Sequence, residues 1–166
     1  MENLKVVIAD DEERICQLIQ ALVNWDGLGI EIAEMAHNGI EAFDVVQKVR
    51  PDILITDIRM PGLSGLELIE KVKAACPEME IIIISGYAHF EYAQQAIRFG
   101  VGHYLLKPIN KAELTETLEK LKSKIGQRQE SERDKQVLLQ KAQKNEDYMR
   151  SKLLTQLLNA EPVTLT

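Results

Sequence analysis

Apolar residues alternate between two patterns along the first three quarters of the chain. Short continuous apolar runs, typical of strands covered on both faces of a parallel sheet, are separated by longer segments with helical spacing of apolar positions. Strands are predicted at 4–9, 30–36, 52–56, 80–85 and 103–106, and helices at 13–24, 39–49, 65–75, 88–99 and 111–125. This pattern predicts an α/β fold in which five strands alternate with five helices.

Turn-forming residues fall between the predicted elements. They include Asn38-Gly39, Arg50-Pro51, Pro61-Gly62, Cys76-Pro77 and Lys107-Pro108. Strands and helices that alternate in this way, joined by right-handed crossovers, form a doubly wound parallel sheet. In such sheets ligands bind beyond the carboxyl ends of the strands, where the strand order reverses, so functional residues are expected there.

Residues 126–166 differ from the rest of the chain, with many charges and only scattered leucines. We therefore predict one domain over 1–125 and a helical extension over 126–166. Apolar residues at 114, 118, 121 and 125 have heptad spacing. Packing of the fifth predicted helix on the sheet accounts for most of them, and polar residues further along this register disfavour a stable coiled coil.

Composition excludes several classes of protein. With 166 residues, of which 45% are hydrophobic and 28% charged, the chain is neither collagen-like nor wholly disordered. A formal charge of -6 disfavours binding of nucleic acid over the whole surface. No apolar run approaches the roughly 20 residues of a membrane helix, and the N-terminus lacks the pattern of a signal peptide. We expect a cytoplasmic protein without membrane contact, in which Cys16 and Cys76 are reduced thiols.

Chemically useful side chains follow four of the predicted strands. Asp10 and Asp11 follow the first strand, Asp57 the third and Lys107 the fifth, while Ser85 ends the fourth. Mutual repulsion would push one of the three carboxylates towards protonation unless cations compensate. A divalent ion and the lysine ammonium would supply that charge, and ligands that are all oxygen favour Mg²⁺. The set suits phosphoryl transfer to an aspartate.

A single aspartate after a strand is more often a turn or capping residue than a catalytic one. Asp10, for example, would serve as a cap for the helix that starts near Glu13. Four strand ends that present suitable groups at one edge are harder to explain in this way. We therefore favour the functional interpretation of the set.

Four segments, VVIADDEE, DILITDIRMPGLSGLELI, IIIISGY and HYLLKPI, resemble in order and spacing the receiver domain of two-component response regulators. The resemblance covers residues 3–125. It implies a flavodoxin-like fold with strand order 2-1-3-4-5. It also implies that Asp57 is the phosphoacceptor and that a sensor histidine kinase is the phosphodonor.

The resemblance also assigns roles around the phosphoacceptor. Asp11 would bind Mg²⁺ directly and Asp10 directly or through water, together with Asp57 and the backbone carbonyl of Arg59. Lys107 would pair with the phosphoryl group. Pro108 is expected to follow a cis peptide bond, an isomer found almost only before proline.

Ser85 and Tyr104 are the expected switch residues. Phosphorylation adds negative charge and acceptor oxygens, so the Ser85 hydroxyl would swing inward and Tyr104 would turn from exposed to buried. A tyrosine that merely lies at the sheet edge is the alternative. Tyr87, two residues beyond Ser85, is predicted to lengthen the lifetime of the phosphorylated state by restricting attack by water.

The segment SGYAHFEYAQQAIRFGVGHYLLKP resembles receivers that are followed by a helical linker and an AraC-type helix-turn-helix DNA-binding domain. No such domain fits in 126–166, so DNA contact is expected only through an effector domain outside this sequence. A homodimer is expected through the fourth predicted helix, fifth strand and fifth helix, through the linker helix, or through both.

Two alternatives remain open. One is a stand-alone receiver that acts by protein–protein interaction. The other is a Mg²⁺-dependent phosphohydrolase of the haloacid dehalogenase type, a family that has a DxD motif after its first strand. Here the acids Asp10 and Asp11 are adjacent and the candidate nucleophile follows the third strand, which disfavours the hydrolase.

Overall fold

The computed structural model describes residues 3–86 and 90–159. Within these residues the elements are β1 (Leu4–Ala9), α1 (Glu13–Leu22), α2 (Trp25–Leu28), β2 (Ile30–Ala36), α3 (Gly39–Val49), β3 (Ile53–Thr56), α4 (Gly65–Ala75), β4 (Glu80–Ser85), α5 (Phe90–Arg98), β5 (His103–Leu106) and α6 (Lys111–Asn159). The strands form one parallel sheet with order β2-β1-β3-β4-β5. This confirms the predicted α/β fold and its strand order.

The apolar runs of the sequence correspond to the central strands. Every residue of β3 and β4 is buried, and the last four residues of β1 are buried as well. The edge strand β2 is only partly covered. Because the central strands are covered on both faces, residues 53–55 and 81–84 are apolar without alternation, as in other parallel sheets.

The prediction of five helices is wrong by one, since the described residues contain six. The single helix expected at 13–24 ends at Leu22, because Val23 adopts an extended conformation (φ -103, ψ 140). The Asn24 side chain then accepts a hydrogen bond from the Gly27 amide and caps the separate helix α2. Gly29, with a φ of 71, ends α2 in the left-handed region.

Helix α6 contains the fifth predicted helix and continues through residues 126–159 of the predicted helical extension, the rest of which lies outside the described residues. Leu114, Leu118 and Leu121 are at most 1% exposed, as expected for residues that pack into the core. Leu138 and Leu139 are 66% and 70% exposed. The heptad-spaced leucines at the start of this helix are therefore core residues.

The chain divides into two compact units, Met1–Ser123 and Lys124–Thr166. The division of function between a domain at 1–125 and a linker at 126–166 stays a prediction. Among the residues that the structure describes, no helix has the length and apolar character needed to cross a bilayer.

Candidate functional site

Three of the predicted site residues are anchored by backbone hydrogen bonds that continue the sheet beyond its strands. The amide of Asp10 donates to the last residue of β2, and that of Asp57 to the last residue of β1, both at 3.0 Å. The amide of Lys107 donates to the last residue of β4 at 2.8 Å. The sheet itself therefore brings these residues to one edge.

The Lys107 ammonium lies between two carboxylates. Its Nζ is 3.1 Å from Asp10 Oδ2 and 2.9 Å from Asp57 Oδ2. The carboxylate side chains are only 3% and 8% exposed, and that of Lys107 is 17% exposed. Burial alone would lower the pKa of Lys107, but its hydrogen bonds to Asp57 and Asp10 outweigh burial and raise that pKa. The ammonium thus stays charged and partly neutralises both carboxylates.

Asp10 has the most strongly perturbed carboxyl group of the site, with a pKa raised from 3.8 to about 6. Burial is the main cause, while the Glu12 amide at 2.9 Å and Lys107 oppose it. Repulsion from Asp57 raises this pKa by the smallest amount. The predicted shift towards protonation thus arises chiefly from loss of solvent and not from carboxylate repulsion.

Asp10, Asp11 and Glu12 form a carboxylate cluster whose ligand oxygens lie within 4.8 Å of one another. Asp10 is buried, while Asp11 and Glu12 are exposed. Sequence reasoning missed Glu12, although the run of acids after β1 already contained it. These oxygen donors suit a hard divalent cation that keeps several waters, so the residues present fit Mg²⁺.

Hydrogen bonds hold both the side-chain carboxylate and the backbone carbonyl of Asp57. Its Oδ1 accepts a hydrogen bond from the Ile58 amide at 2.6 Å, and its carbonyl accepts one from the Thr56 hydroxyl at 2.9 Å. Arg59 is exposed two residues further on. Together with Asp11, Arg59 lines an open cavity of about 580 Å³ whose other walls include Met60 and Tyr92. Space for a second reactant therefore adjoins the carboxylates.

Ser85 and Tyr104 are in contact with each other. Ser85 is fully buried, and its hydroxyl is hydrogen-bonded to that of Tyr104. Tyr104 is half-buried and packs against the core. Burial raises the pKa of Tyr104, the bond to Ser85 opposes this rise and the charge of Asp57 adds to it. The predicted switch pair is thus hydrogen-bonded, with the tyrosine partly covered.

The remaining predicted residues have different placements. The Lys107–Pro108 peptide bond is cis, and Pro108 is exposed. Tyr87 lies outside the described residues, so its predicted effect on phosphate lifetime stays a prediction.

Two further side chains contact the backbone carbonyl of Asp10 and were not predicted as site residues. His37 Nδ1 lies 3.3 Å from this oxygen, and the Cys16 thiol donates to it at 3.7 Å. Burial, followed by the charge of Asp10, raises the pKa of Cys16 to about 11. These contacts depend on how β2 and α1 pack against β1, and no local motif indicates them.

Curated relatives are transcriptional regulators. The chain is 43% identical over 117 residues to "Uncharacterized transcriptional regulatory protein YesN" of Bacillus subtilis (strain 168). The aligned residues make up 70% of this chain and 32% of YesN. The chain is 37% identical over 117 residues to "Transcriptional regulatory protein HptR" of Staphylococcus aureus (strain N315), covering 70% and 46% of the two chains. The chain thus spans between about a third and a half of these relatives.

Solved structures share the fold. The REC domain of AraT, a response regulator from Geobacillus stearothermophilus, is 39% identical with a TM-score of 0.73, covering 78% of this chain and 99% of that domain. A two-component transcriptional regulator AraC from Clostridium phytofermentans ISDg is 33% identical with a TM-score of 0.71, covering 76% and 98%. Residues 6–119 match the family described as "Response regulator receiver domain". The protein therefore belongs to the response regulator receiver family.

Proposed function

We propose that this protein accepts a phosphoryl group on Asp57 from a phosphohistidine of a sensor histidine kinase. The supporting observation is the Lys107 ammonium, which lies within 3.1 Å of two buried carboxylates that follow different strands. A bridging ammonium of this kind orients the Asp57 carboxylate as a nucleophile and offsets the charge of an incoming phosphoryl group. Members of this family are generally not enzymes, and the chain acts as a switch that assists its own phosphorylation and dephosphorylation.

In the proposed transfer, a carboxylate oxygen of Asp57 forms a bond to phosphorus while the bond from phosphorus to the donor nitrogen breaks. The leaving imidazole keeps the electron pair. The Ile58 amide holds Asp57 Oδ1 at 2.6 Å, and Lys107 holds Oδ2 at 2.9 Å, so the nucleophile has one orientation before the donor arrives. Such preorganisation lowers the barrier because little rearrangement is needed during transfer.

Receiver domains generally bind Mg²⁺ at an acidic cluster, and Asp10, Asp11 and Glu12 form one here. We assign the ligands to Asp10, Asp11, Asp57 and the backbone carbonyl of Arg59, with Glu12 beside them. When bound, Mg²⁺ supplies positive charge that offsets the carboxylates and the phosphoryl oxygens. Protonation of Asp10 opposes this role, so its raised pKa makes occupancy of the site depend on pH.

The signal is proposed to pass through Ser85 and Tyr104. In the proposed switch the Ser85 hydroxyl turns towards a phosphoryl oxygen and donates a hydrogen bond to it, and this movement takes the hydroxyl away from Tyr104. Tyr104 then loses a partner and reorients at the surface formed by α5, β5 and the first turns of α6. Ile97 and Leu106, which are 69% and 47% exposed, belong to this surface and would bury apolar area in a homodimer.

The output is proposed to be control of transcription in the cytoplasm through a DNA-binding domain outside this sequence. YesN and HptR, both described as transcriptional regulatory proteins, support this proposal. A stand-alone receiver that binds a protein partner is the alternative. A phosphorylation-dependent dimer would favour the transcriptional output, because operator half-sites are commonly bound by dimers.

One experiment tests the phosphoacceptor. The protein is incubated with Mg²⁺ and a small acyl phosphate, or with beryllofluoride, and followed by intact mass and oligomeric state. Stoichiometric labelling that disappears in Asp57→Asn but persists in Asp44→Asn, an exposed aspartate on α3, supports the proposal. Labelling that survives Asp57→Asn refutes it. Multiple turnover of a phosphoester would instead identify a hydrolase.

A further inference from the structure

The loop that carries the phosphoacceptor, residues 57–64, is tightly enclosed by backbone. We call it the phosphoacceptor loop. Two buried glycines contact it: Gly65, the first residue of α4, and Gly39, the first residue of α3. Neither was predicted as a site residue. Each lies so close to the loop that only a residue without a side chain fits there.

Gly65 contacts the phosphoacceptor itself. Its amide donates to the Ile58 carbonyl at 2.6 Å. A Cβ on Gly65 would overlap the carbonyl oxygen of Asp57 and would lie 2.7 Å from the Ile58 Cα. These neighbours are backbone atoms, so they cannot turn away as a flexible side chain would. Gly65 is required here because of space and not because of a left-handed backbone, since its φ is not among the positive ones.

Gly39 closes the other side of the loop from a different element. A Cβ on Gly39 would overlap the carbonyl oxygen of Leu63 and would lie 2.6 Å from its carbonyl carbon. The Asn38 side chain accepts a hydrogen bond from the Glu41 amide at 2.8 Å, which fixes the start of α3. This cap defines the backbone conformation at the start of α3, where the Leu63 carbonyl packs against Gly39.

The same segment also locates the acidic side of the site. Ala36, at the end of β2, accepts the hydrogen bond from the Asp10 amide at 3.0 Å, and His37 contacts the Asp10 carbonyl. Residues 36–39 thus touch both the residue that carries one carboxylate and the loop that carries the other. The contact of Gly39 with this loop consequently influences the separation of Asp10 and Asp57.

We propose that Gly39 and Gly65 are positioning residues that set the place of the Asp57 carboxylate relative to Lys107 and the acidic cluster. This proposal rests on the proposed phosphoacceptor function. Real Cβ atoms essentially never approach other heavy atoms closer than 3.0 Å, so alanine at either glycine displaces the loop. A displacement of about 1 Å of a reacting group costs roughly 100-fold in rate.

The kinetic test compares Gly39→Ala and Gly65→Ala with Gly102→Ala and Gly126→Ala, whose added Cβ would meet nothing within 4 Å. Phosphorylation by a small acyl phosphate is measured over a range of donor concentrations at saturating Mg²⁺. We expect the maximal rate constant to fall by about 10- to 100-fold in the first pair, with half-saturation by donor little changed. The control pair should stay within about twofold of wild type.

Lower stability alone predicts a different result. It would reduce the fraction of chains that are labelled, but not the rate constant of the folded ones. Equal rate constants in all variants and wild type would overturn the proposal. If an alanine variant does not fold, Asn38→Ala replaces it, because it releases the start of α3 without adding an atom beside the loop. We expect that variant to lose about threefold or more in rate, and an unchanged rate would overturn the role of Gly39.

A second measurement is independent of phosphorylation. Crystal structures of the two glycine variants should show the Asp57 carboxylate displaced by about 1 Å and its 2.9 Å bond to Lys107 lengthened. An unmoved carboxylate overturns the positioning role even if the rates fall. If wild-type protein takes up no phosphate, the proposed function fails, and this structural measurement alone decides the role of the glycines.

Discussion

Replacement of Asp10 by asparagine should stabilise the protein in the absence of divalent cations. Asp10 is 2% exposed, and its pKa is raised from 3.8 to about 6, chiefly by burial. Folding therefore disfavours its ionised form, even with Lys107 at 3.1 Å. Asparagine has a similar shape and can still accept the hydrogen bond from the Glu12 amide. It removes the buried charge.

The expected magnitude follows from the shift in pKa. At 1.36 kcal/mol for each pKa unit, a rise from 3.8 to about 6 corresponds to about 3 kcal/mol of lost stability at pH 7. The attraction of Lys107 is already contained in this net shift, and neutral asparagine stands in for the protonated carboxyl group. Asp10→Asn should therefore be more stable than wild type by about 3 kcal/mol at pH 7.

The dependence on pH has a defined sign. The folded-state pKa of Asp10 lies above its unfolded value, so the folded protein binds this proton more tightly. Wild type consequently loses stability as pH rises from about 4 to above 6, and the variant lacks this contribution. The stability advantage of Asp10→Asn should shrink as pH falls from 7 to 4, because Asp10 becomes neutral in both states of wild type.

Urea unfolding with a chelator present, at several values of pH, measures this difference. Asp44→Asn serves as a control, since Asp44 is exposed on α3. Added Mg²⁺ should stabilise wild type more than Asp10→Asn, because a ligand stabilises only the form that binds it. A variant that is less stable than wild type at pH 7, or a stability difference that does not change between pH 7 and pH 4, would refute the argument.

Three further predictions concern other parts of the molecule. Cys76 should react with iodoacetamide at neutral pH much faster than Cys16, which is fully buried and has a pKa raised to about 11; mass spectrometry of the labelled peptides measures this. Lys107→Ala should lower the free energy of unfolding by about 1–3 kcal/mol at pH 7, because it leaves two buried carboxylates without their cation, and urea unfolding would detect it. Leu118→Ala should cost about 2–5 kcal/mol, whereas Leu139→Ala, at a 70% exposed position, should change stability by less than about 0.5 kcal/mol. Equal losses for the two leucines would contradict their assignment to core and surface.

The sheet was the most predictable part of the fold. The predicted bounds of β1, β2, β4 and β5 agree with the structure. For the central strands β1 and β4 the reason is burial on both faces, which leaves continuous apolar runs in the sequence. The break after Leu22 was not predicted, since Val23 and Trp25 continue the apolar content of the helix. There a local cap at Asn24 prevails over the periodic pattern.

The site was predictable where topology alone determines it. Residues that follow parallel strands share one edge, and this places Asp10, Asp57 and Lys107 together. Tertiary packing determines the contacts of His37 and Cys16 with the Asp10 carbonyl, so no sequence pattern indicated them. The raised pKa of Asp10 likewise results chiefly from burial, which cannot be inferred from the charged residues of the sequence alone.

The backbone bonds that extend the sheet past β1, β2 and β4 also bear on the dynamics of the site. The amides of Asp10, Asp57 and Lys107 belong to the same hydrogen-bonded network as the central strands. Local fraying of surface loops leaves this network intact, so these residues separate only in openings that disrupt the sheet. The backbone positions of these three residues should thus persist through local opening of the loops, and in the proposed switch the movement falls to the side chains.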